Sequence, residues 1–343
     1  MDRAVDSPRG RLAPSPTGAL HLGNARSFLI AWLSVRSRGG TLVLRMEDLD
    51  HPKVKPGAAQ AALDDLRWLG LDWDEGPDVG GPCAPYVQSE RVERYAAALR
   101  QLQRGGHVYP CVCTRRDVEQ GQSAPHLDEL SPRYDGACEG RFASYEEALR
   151  ARLAAAGEHA VVSPNRWPAW RFRARGATRF TDAFQGEQHG DVGTAEGDFV
   201  LARHPQGAGY MLAVVVDDAA MGITEVVRGD DLLPATHRQL LLYRALSLAP
   251  PRFCHVPLVV GEEGRRLAKR HGDTRLAALR ERGFAPEAIV GLLAWWSGWA
   301  AWGERIRPCD LLARFDLARL PRGPAVLDAR IRAWLGLASR QGQ

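Results

Sequence analysis

The stretch Arg11-Leu12-Ala13-Pro14-Ser15-Pro16-Thr17-Gly18-Ala19-Leu20-His21-Leu22-Gly23-Asn24 limits the possible folds more than any other part of the chain. It reads as a strand end, a rigid turn and a helix start. The two prolines fix φ and stop a regular helix. Gly18 permits unusual backbone angles, and Gly23 leaves room for a ligand against the backbone. A helix N-terminus with free N–H groups beside a histidine is a ready phosphate site. A lone histidine would be a packed or surface residue, and a lone Pro-Ser-Pro an ordinary loop. The whole string, together with the basic loop around Lys269, speaks against both.

Periodicity extends this start into an α/β pattern. Gly10–Ala13 reads as a strand, Asn24–Arg36 as a helix with Phe28, Leu29, Trp32 and Leu33 on one face, Thr41–Glu47 as a strand and Ala58–Leu69 as a helix. Strand, helix, strand, helix is the signature of a parallel sheet. Val92–Arg104 is a further helix. A segment rich in Cys, Pro, Ser and Gly follows from about Gly105 to Gly140, then a short helix at Tyr145–Ala156 and a β-rich stretch from Val161 to Gly197. This block reads as an insertion. Strand patterns return at Asp198–Arg203, Tyr210–Val216 and Ile223–Arg228. Val214-Val215-Val216 before Asp217 and Asp218 predicts a buried strand with acids at its carboxyl end, where ligands gather in open α/β sheets. Pro234 starts a helix through Leu246. Cys254–Val260 is expected as the last strand, Pro286 opens a helix through Trp296, and the Arg/Leu/Trp-rich remainder is expected to be helical.

The length of 343 residues allows two or three sub-domains. The boundaries expected are 9–104 for the first half of the catalytic domain, 105–197 for the insertion, 198–275 for its second half and 276–343 for a small helical C-terminal region. A net charge of +4 is compatible with nucleic-acid binding but does not establish it. No apolar run approaches the roughly 20 residues of a membrane span. The polar N-terminus lacks a signal-peptide core. A cytoplasmic protein without a membrane partner is the expectation, and a monomer is assumed. Of the six cysteines, Cys83, Cys254 and Cys309 stand alone. Cys111, Cys113 and Cys138 lie close in sequence, and three thiolates suit tetrahedral zinc. Free thiols in a small core are the alternative.

Taken together, the Pro-Ser-Pro/His-Leu-Gly-Asn string and Arg266-Leu267-Ala268-Lys269-Arg270 resemble the two signatures of class I aminoacyl-tRNA synthetases, in the form used by the glutamyl branch. Arg45-Met46-Glu47-Asp48-Leu49-Asp50 is similar to that family's Arg-x-Glu-Asp-x-Asp. The resemblance covers roughly Arg9 to Gly298. Three departures stand out: Arg266 replaces a lysine, Ala268 a serine, and Asn24 the second histidine of the first signature. The resemblance implies a Rossmann-like parallel-sheet domain that binds ATP through His21, Gly23, Asn24 and Lys269. His21 and Lys269 would be catalytic. A cation at Lys269, with Mg2+, would offset the charge that grows on the phosphoryl oxygens. Arg11, Leu12, Ala13, Pro14, Ser15, Glu47, Tyr210 and Arg228 match the positions that bind L-glutamate. Arg11 would meet the side-chain carboxylate, Glu47 the ammonium and Arg228 the α-carboxylate, since arginine pairs bidentately with carboxylates.

Only 74 residues follow Lys269 (343 − 269). That leaves no room for a full anticodon-binding region and points to the truncated branch, the glutamyl-Q tRNA(Asp) synthetases. That branch implies tRNA-independent formation of glutamyl-adenylate and transfer to the queuosine base at the wobble position of tRNA(Asp). Its Cys-x-Cys followed by Tyr-x-x-x-Cys implies structural Zn2+ on Cys111, Cys113, Tyr134 and Cys138, with His126 a less favoured ligand. Two rival readings are a short glutamyl-tRNA synthetase charging the 3′ end of tRNA(Glu) and a non-catalytic paralogue that binds tRNA or an amino acid.

Overall fold

The computed structural model describes residues 7–49, 54–114, 117–118, 133–156, 167–203, 208–267 and 273–337. Lys269, Ala268, Asp50 and His126 lie outside them.

The first half alternates β1 (Arg9–Leu12), α1 (Leu22–Arg36), β2 (Thr41–Leu44), α2 (Ala58–Trp68) and α3 (Val92–Arg104). The inserted block holds β3 (Val108–Cys111), α4 (Tyr145–Ala156), β4 (Ala169–Phe172), the hairpin β5 (Thr178–Asp182) and β6 (Gly186–Gly190), α5 (Val192–Ala195) and β7 (Phe199–Ala202). The chain then returns through α6 (Tyr210–Ala220), β8 (Glu225–Gly229), α7 (Leu233–Ala245), β9 (Arg252–Val256) and β10 (Val259–Gly261). It ends with α8 (Leu276–Glu281), α9 (Pro286–Trp296), α10 (Pro308–Leu311), β11 (Ala325–Leu327) and α11 (Ala329–Trp334). No described helix is long and apolar enough to cross a membrane.

β1 pairs in parallel with β2, and β8 with β9. β8 lies along the other side of β1, where Thr224 N donates to Arg9 O at 2.8 Å. The result is a parallel layer with sequence-distant strands side by side, as the strand–helix alternation predicts. Successive side chains of a strand face opposite ways. Leu42 and Leu44 therefore join one core, with α1, α2 and the C-terminal helices, while Val43 joins the other, with α3, α6 and α7. The inserted strands β3, β4 and β7 form an antiparallel sheet. Phe172, Ala174 and Leu201 from this block share a core with Leu212 and Leu241. The C-terminal region is also tied in. The buried Arg26 on α1 donates to Pro257 O at 2.6 Å and to Ser297 Oγ at 3.1 Å.

Two expectations are corrected. The valine run Tyr210–Val216 is helix α6, not a strand. It is packed against α3, α7 and β7 and buries Leu212, Ala213, Val214 and Val215. A helix apolar on nearly every side shows no 3.6-residue period, so the run mimics a buried strand. Asp217 and Asp218 consequently lie in a helical turn. The expected last strand Cys254–Val260 splits into β9 and β10 around Pro257, which has no N–H for a ladder. A further strand follows in the region expected to be helical: β11 pairs in parallel with β10.

Candidate active site

His21 is the N-cap of α1. Its Nδ1 accepts from Gly23 N at 3.1 Å, and Asn24 Oδ1 accepts from His21 N at 3.3 Å. This reciprocal cap occupies donors that would otherwise be free at the helix start. With Nδ1 accepting, the proton of the neutral ring sits on Nε2, leaving one N–H donor for a ligand. Burial, with the nearby Arg266 charge, pushes His21 down to about 4, so the ring is neutral at physiological pH. A Cβ at Gly23 would sit 2.9 Å from His21 Cε1, so any larger residue would displace the imidazole. The descending end of the basic loop is also fixed to this helix start. Leu22 N donates to Thr274 O at 3.2 Å and Leu276 N to Leu20 O at 2.9 Å.

The Pro-Ser-Pro turn places the second group. Glu47 N donates to Pro14 O at 3.0 Å and Arg45 N to Leu12 O at 2.9 Å, so the strand ends of β1 and β2 advance together. Arg45 is fully buried and bridges two acids. Its Nη2 donates to Glu47 Oε1 at 3.0 Å and its Nη1 to Asp218 Oδ1 at 2.7 Å. Arg11 reaches the same Asp218 oxygen at 3.8 Å from Nε, and donates from Nη1 to Val227 O at 3.1 Å. Burial pushes the Glu47 carboxyl up against the opposing pull of Arg45 and Arg11. Tyr210 opens α6 and is partly open to solvent. Desolvation and the Glu47 charge push its phenol up, while Arg228 and Arg11 hold it back. Arg11, Glu47, Tyr210 and Arg228, far apart in sequence, thus share one electrostatic neighbourhood.

Three buried arginine donors in it have no hydrogen-bond partner: Arg11 Nε, Arg45 Nε and Arg228 Nη1. Unpartnered buried polar groups are rare, and an acceptor in the pocket would satisfy them. Arg228 is otherwise tied down, by His255, Thr236 and Gln239. Beneath the pocket Asp217 accepts from Arg91 Nε at 2.6 Å, Tyr95 Oη at 2.8 Å and Gln88 Nε2 at 2.9 Å. None of Asp218, Asp217, His255 or Asp182 was singled out as a site residue from sequence. A histidine inside the apolar string Phe253-Cys254-His255-Val256 was the available signal.

The cysteines converge as expected. The sulfurs of Cys111, Cys113 and Cys138 all lie within 4.8 Å of one another. Cys113 Sγ and Cys138 Sγ are 3.4 Å apart, and Tyr134 Oη is 3.5 Å from Cys111 Sγ and 3.9 Å from Cys113 Sγ. A tetrahedral zinc with ligands at about 2.3 Å has ligand-to-ligand edges of about 3.8 Å. The four atoms therefore fit such an ion. Arg171 stacks on the Tyr134 ring at 3.6 Å and donates from Nε to Cys111 Sγ at 3.4 Å. A cleft of about 1030 Å³ runs from this cluster to Met211, beside Tyr210, and is lined in part by Arg171, Arg203, Arg238, Trp167 and Phe199.

The chain was compared with known proteins. The model of a family described as tRNA synthetases class I (E and Q), catalytic domain, matches residues 8–322. A protein of Symbiobacterium thermophilum named glutamyl-Q tRNA(Asp) synthetase is 49% identical over 328 residues, covering 95% of this chain and 98% of its own length. A glutamate–tRNA ligase of Syntrophus aciditrophicus is 41% identical over 332 residues, covering 96% of this chain but 65% of its own. The crystal structure of a glutamate tRNA ligase from Elizabethkingia meningosepticum, in complex with its amino acid, superposes with a TM-score of 0.78 at 28% identity, covering 96% of this chain and 69% of that one.

Proposed function

Since the chain belongs to the class I tRNA synthetases of the E and Q type, and is therefore a ligase, we propose that it activates L-glutamate with ATP and transfers it to the queuosine base at the wobble position of tRNA(Asp). The observation that carries this reading is the buried charge cluster: Arg11 and Arg228, each with an unpartnered buried nitrogen, share the surroundings of Tyr210 with the buried Glu47. Glutamate offers two carboxylates and one ammonium in the same arrangement. Arg11 meets the side-chain carboxylate, Glu47 the ammonium and Arg228 the α-carboxylate, with Tyr210 and residues 12–15 closing the pocket.

In the first step an α-carboxylate oxygen attacks the α-phosphorus of ATP, and pyrophosphate leaves. His21 donates from Nε2 to the phosphates, with Gly23 and Asn24 fixing the helix start against the nucleotide. We assign Lys269 the charge that offsets the phosphoryl oxygens as they become more negative. Mg2+ enters with ATP as its counter-ion. In the second step a hydroxyl of the queuosine cyclopentene ring attacks the activated carbonyl, and AMP leaves. The arginine-lined cleft beside Tyr210 suits an anionic nucleic acid. Zinc on Cys111, Cys113, Tyr134 and Cys138 would hold one wall of that cleft rigid and take no part in the chemistry.

A charging assay with labelled glutamate tests the reading. Pyrophosphate exchange without RNA is expected, with transfer to tRNA(Asp) bearing queuosine and none to tRNA(Asp) lacking it. Lys269→Ala should lower the exchange rate roughly a hundred- to thousandfold. Transfer to tRNA(Glu), with exchange only in its presence, would favour the short glutamyl-tRNA synthetase that 41% identity to a glutamate–tRNA ligase also allows.

A further inference from the structure

Arg228 does not stand alone in the wall of the pocket. Its Nε donates to His255 Nε2 at 2.9 Å, and its Nη2 donates to Thr236 Oγ1 and Gln239 Oε1, each at 2.8 Å. These bonds fix the guanidinium plane and use every hydrogen except the two on Nη1, the nitrogen left without a partner. A guanidinium cannot accept a hydrogen bond, so His255 Nε2 must be the acceptor. The ring proton is then on Nδ1, which lies 2.6 Å from Asp182 Oδ2 and donates to it. His255 N also donates to Asp182, at 3.1 Å, as do Phe184 N at 3.0 Å and Gln185 N at 2.9 Å. His255 is fully buried and Asp182 nearly so.

Buried histidine–carboxylate pairs are often proton carriers. This one has no free nitrogen to carry a proton with, because both are engaged. Its effect is to fix a tautomer and, through it, the orientation of an arginine. Asp182 belongs to the β5–β6 hairpin of the inserted block, His255 to β9, Arg228 to β8, and Thr236 and Gln239 to α7. The chain of bonds therefore links the insertion to the amino-acid pocket across four elements.

We infer that His255, oriented by Asp182, is a positioning residue that aims Arg228 Nη1 at the α-carboxylate of the amino acid, so that the inserted hairpin contributes to glutamate affinity. This rests on the assignment of Arg228 to that carboxylate. Arg228 donates to the imidazole whether or not the amino acid is bound, so a misaimed guanidinium is felt first in the affinity for glutamate. Burial pushes the His255 ring below its ordinary value despite Asp182, and hydrogen bonds keep Asp182 low despite its own burial, which keeps the acceptor nitrogen available.

The test is pyrophosphate exchange by the full chain, with KM for glutamate, KM for ATP and kcat measured separately. His255→Asn keeps a donor near Asp182 and loses the acceptor for Arg228. It should raise the glutamate KM about tenfold to a hundredfold, the worth of a hydrogen bond to a charged group, with the ATP KM unmoved and the change falling more on the glutamate KM than on kcat. His255→Gln restores an acceptor near the Nε2 position and should recover most of the affinity. If His255→Asn does not fold, Asp182→Asn, which turns one accepting oxygen into a donor and loosens the hold on the His255 tautomer, should raise the same KM severalfold, and an unchanged KM overturns the inference. Arg228→Ala separates the two readings. If it raises the glutamate KM while His255→Asn does not, the positioning role fails and the pocket assignment stands. If Arg228→Ala itself leaves the KM unchanged, the pocket assignment fails. In the Arg228→Ala background, His255→Asn should add nothing, whereas full additivity would show that it acts through packing alone.

Discussion

Asp217 is the place where removing one side chain should damage the molecule most, and its surroundings set the size of the effect. It is fully buried in α6 and accepts hydrogen bonds from Arg91, Gln88 and Tyr95, with Arg45 Nε 3.8 Å away. Asp217→Ala leaves the Arg91 guanidinium, the Tyr95 hydroxyl and the Gln88 amide without this acceptor. Arg91 keeps its bonds to Cys83 O and Pro85 O but loses its only carboxylate among the described residues. Breaking a buried ion pair by deleting one partner costs about 3–5 kcal/mol. Against a total stability of roughly 5–15 kcal/mol, that is a large fraction. Asp217→Asn keeps the volume but turns one accepting oxygen into a donor facing donors, so it should also destabilise the protein substantially. The assay is urea unfolding followed by circular dichroism, with Asp310→Ala as a comparison. The Arg307–Asp310 pair is exposed and screened by solvent, so its loss should leave the midpoint unchanged. If both Asp217 variants unfold within about 1 kcal/mol of the parent, the network's attraction only balances its desolvation, and the hub assigned to Asp217 is wrong.

Two further outcomes are expected. Pure protein should contain about one zinc per chain, bound by Cys111, Cys113, Tyr134 and Cys138, and its removal by a chelator should lower thermal stability; stability unchanged after complete removal would exclude a structural ion. The ring of His21 should titrate near 4 by NMR, and not near its unfolded value of about 6.5. Because the folded pKa is the lower one, the unfolded chain binds this proton first. The associated stability, at most on the order of 3 kcal/mol, is therefore present above about pH 6.5 and lost as pH falls toward 4. His21→Ala should flatten the pH dependence in that window, and an unaltered slope would contradict the buried, neutral ring.

Local chemistry made part of this molecule legible and hid the rest. The β1–turn–α1 unit could be read because prolines, glycines and a capping residue act within a few positions of themselves. The same holds for α4 at Tyr145–Ala156 and for α9, opened by Pro286. Helix α6 was misread because burial on nearly all sides erased its period, and with it went the setting of Asp217 and Asp218. The pocket arginines were named through family resemblance, since nothing local distinguishes Arg11 or Arg228 from the many other arginines. The positioning chain was invisible for a related reason. Arg228 and His255 are partners across the parallel β8–β9 pair, while Asp182 reaches them from the antiparallel β5–β6 hairpin, so only the fold brings the three together.

Around the pocket the buried charges balance. Arg11, Arg45, Arg91 and Arg228 face Glu47, Asp217, Asp218 and Asp182, all of them largely removed from solvent. Burying isolated charges would be prohibitive, so this balance is what lets the chain bury so many ionised groups together. Hydrogen bonding is not balanced in the same way. Arg11 Nε, Arg45 Nε and Arg228 Nη1 remain without a hydrogen-bond partner. The pocket is thus neutral in charge and short of acceptors. In the proposed function, an amino acid that brings two carboxylates supplies acceptors, and its ammonium would have Glu47 for a partner. A glutamine side chain would offer one neutral oxygen in place of a carboxylate and set an amide N–H₂ against arginine, where it finds no acceptor. Because the arginines are already held by their own partners, little ordering remains to be done when the ligand arrives. Under the proposed function, that fixed geometry gives a physical reason to expect glutamate activation without RNA to organise the site.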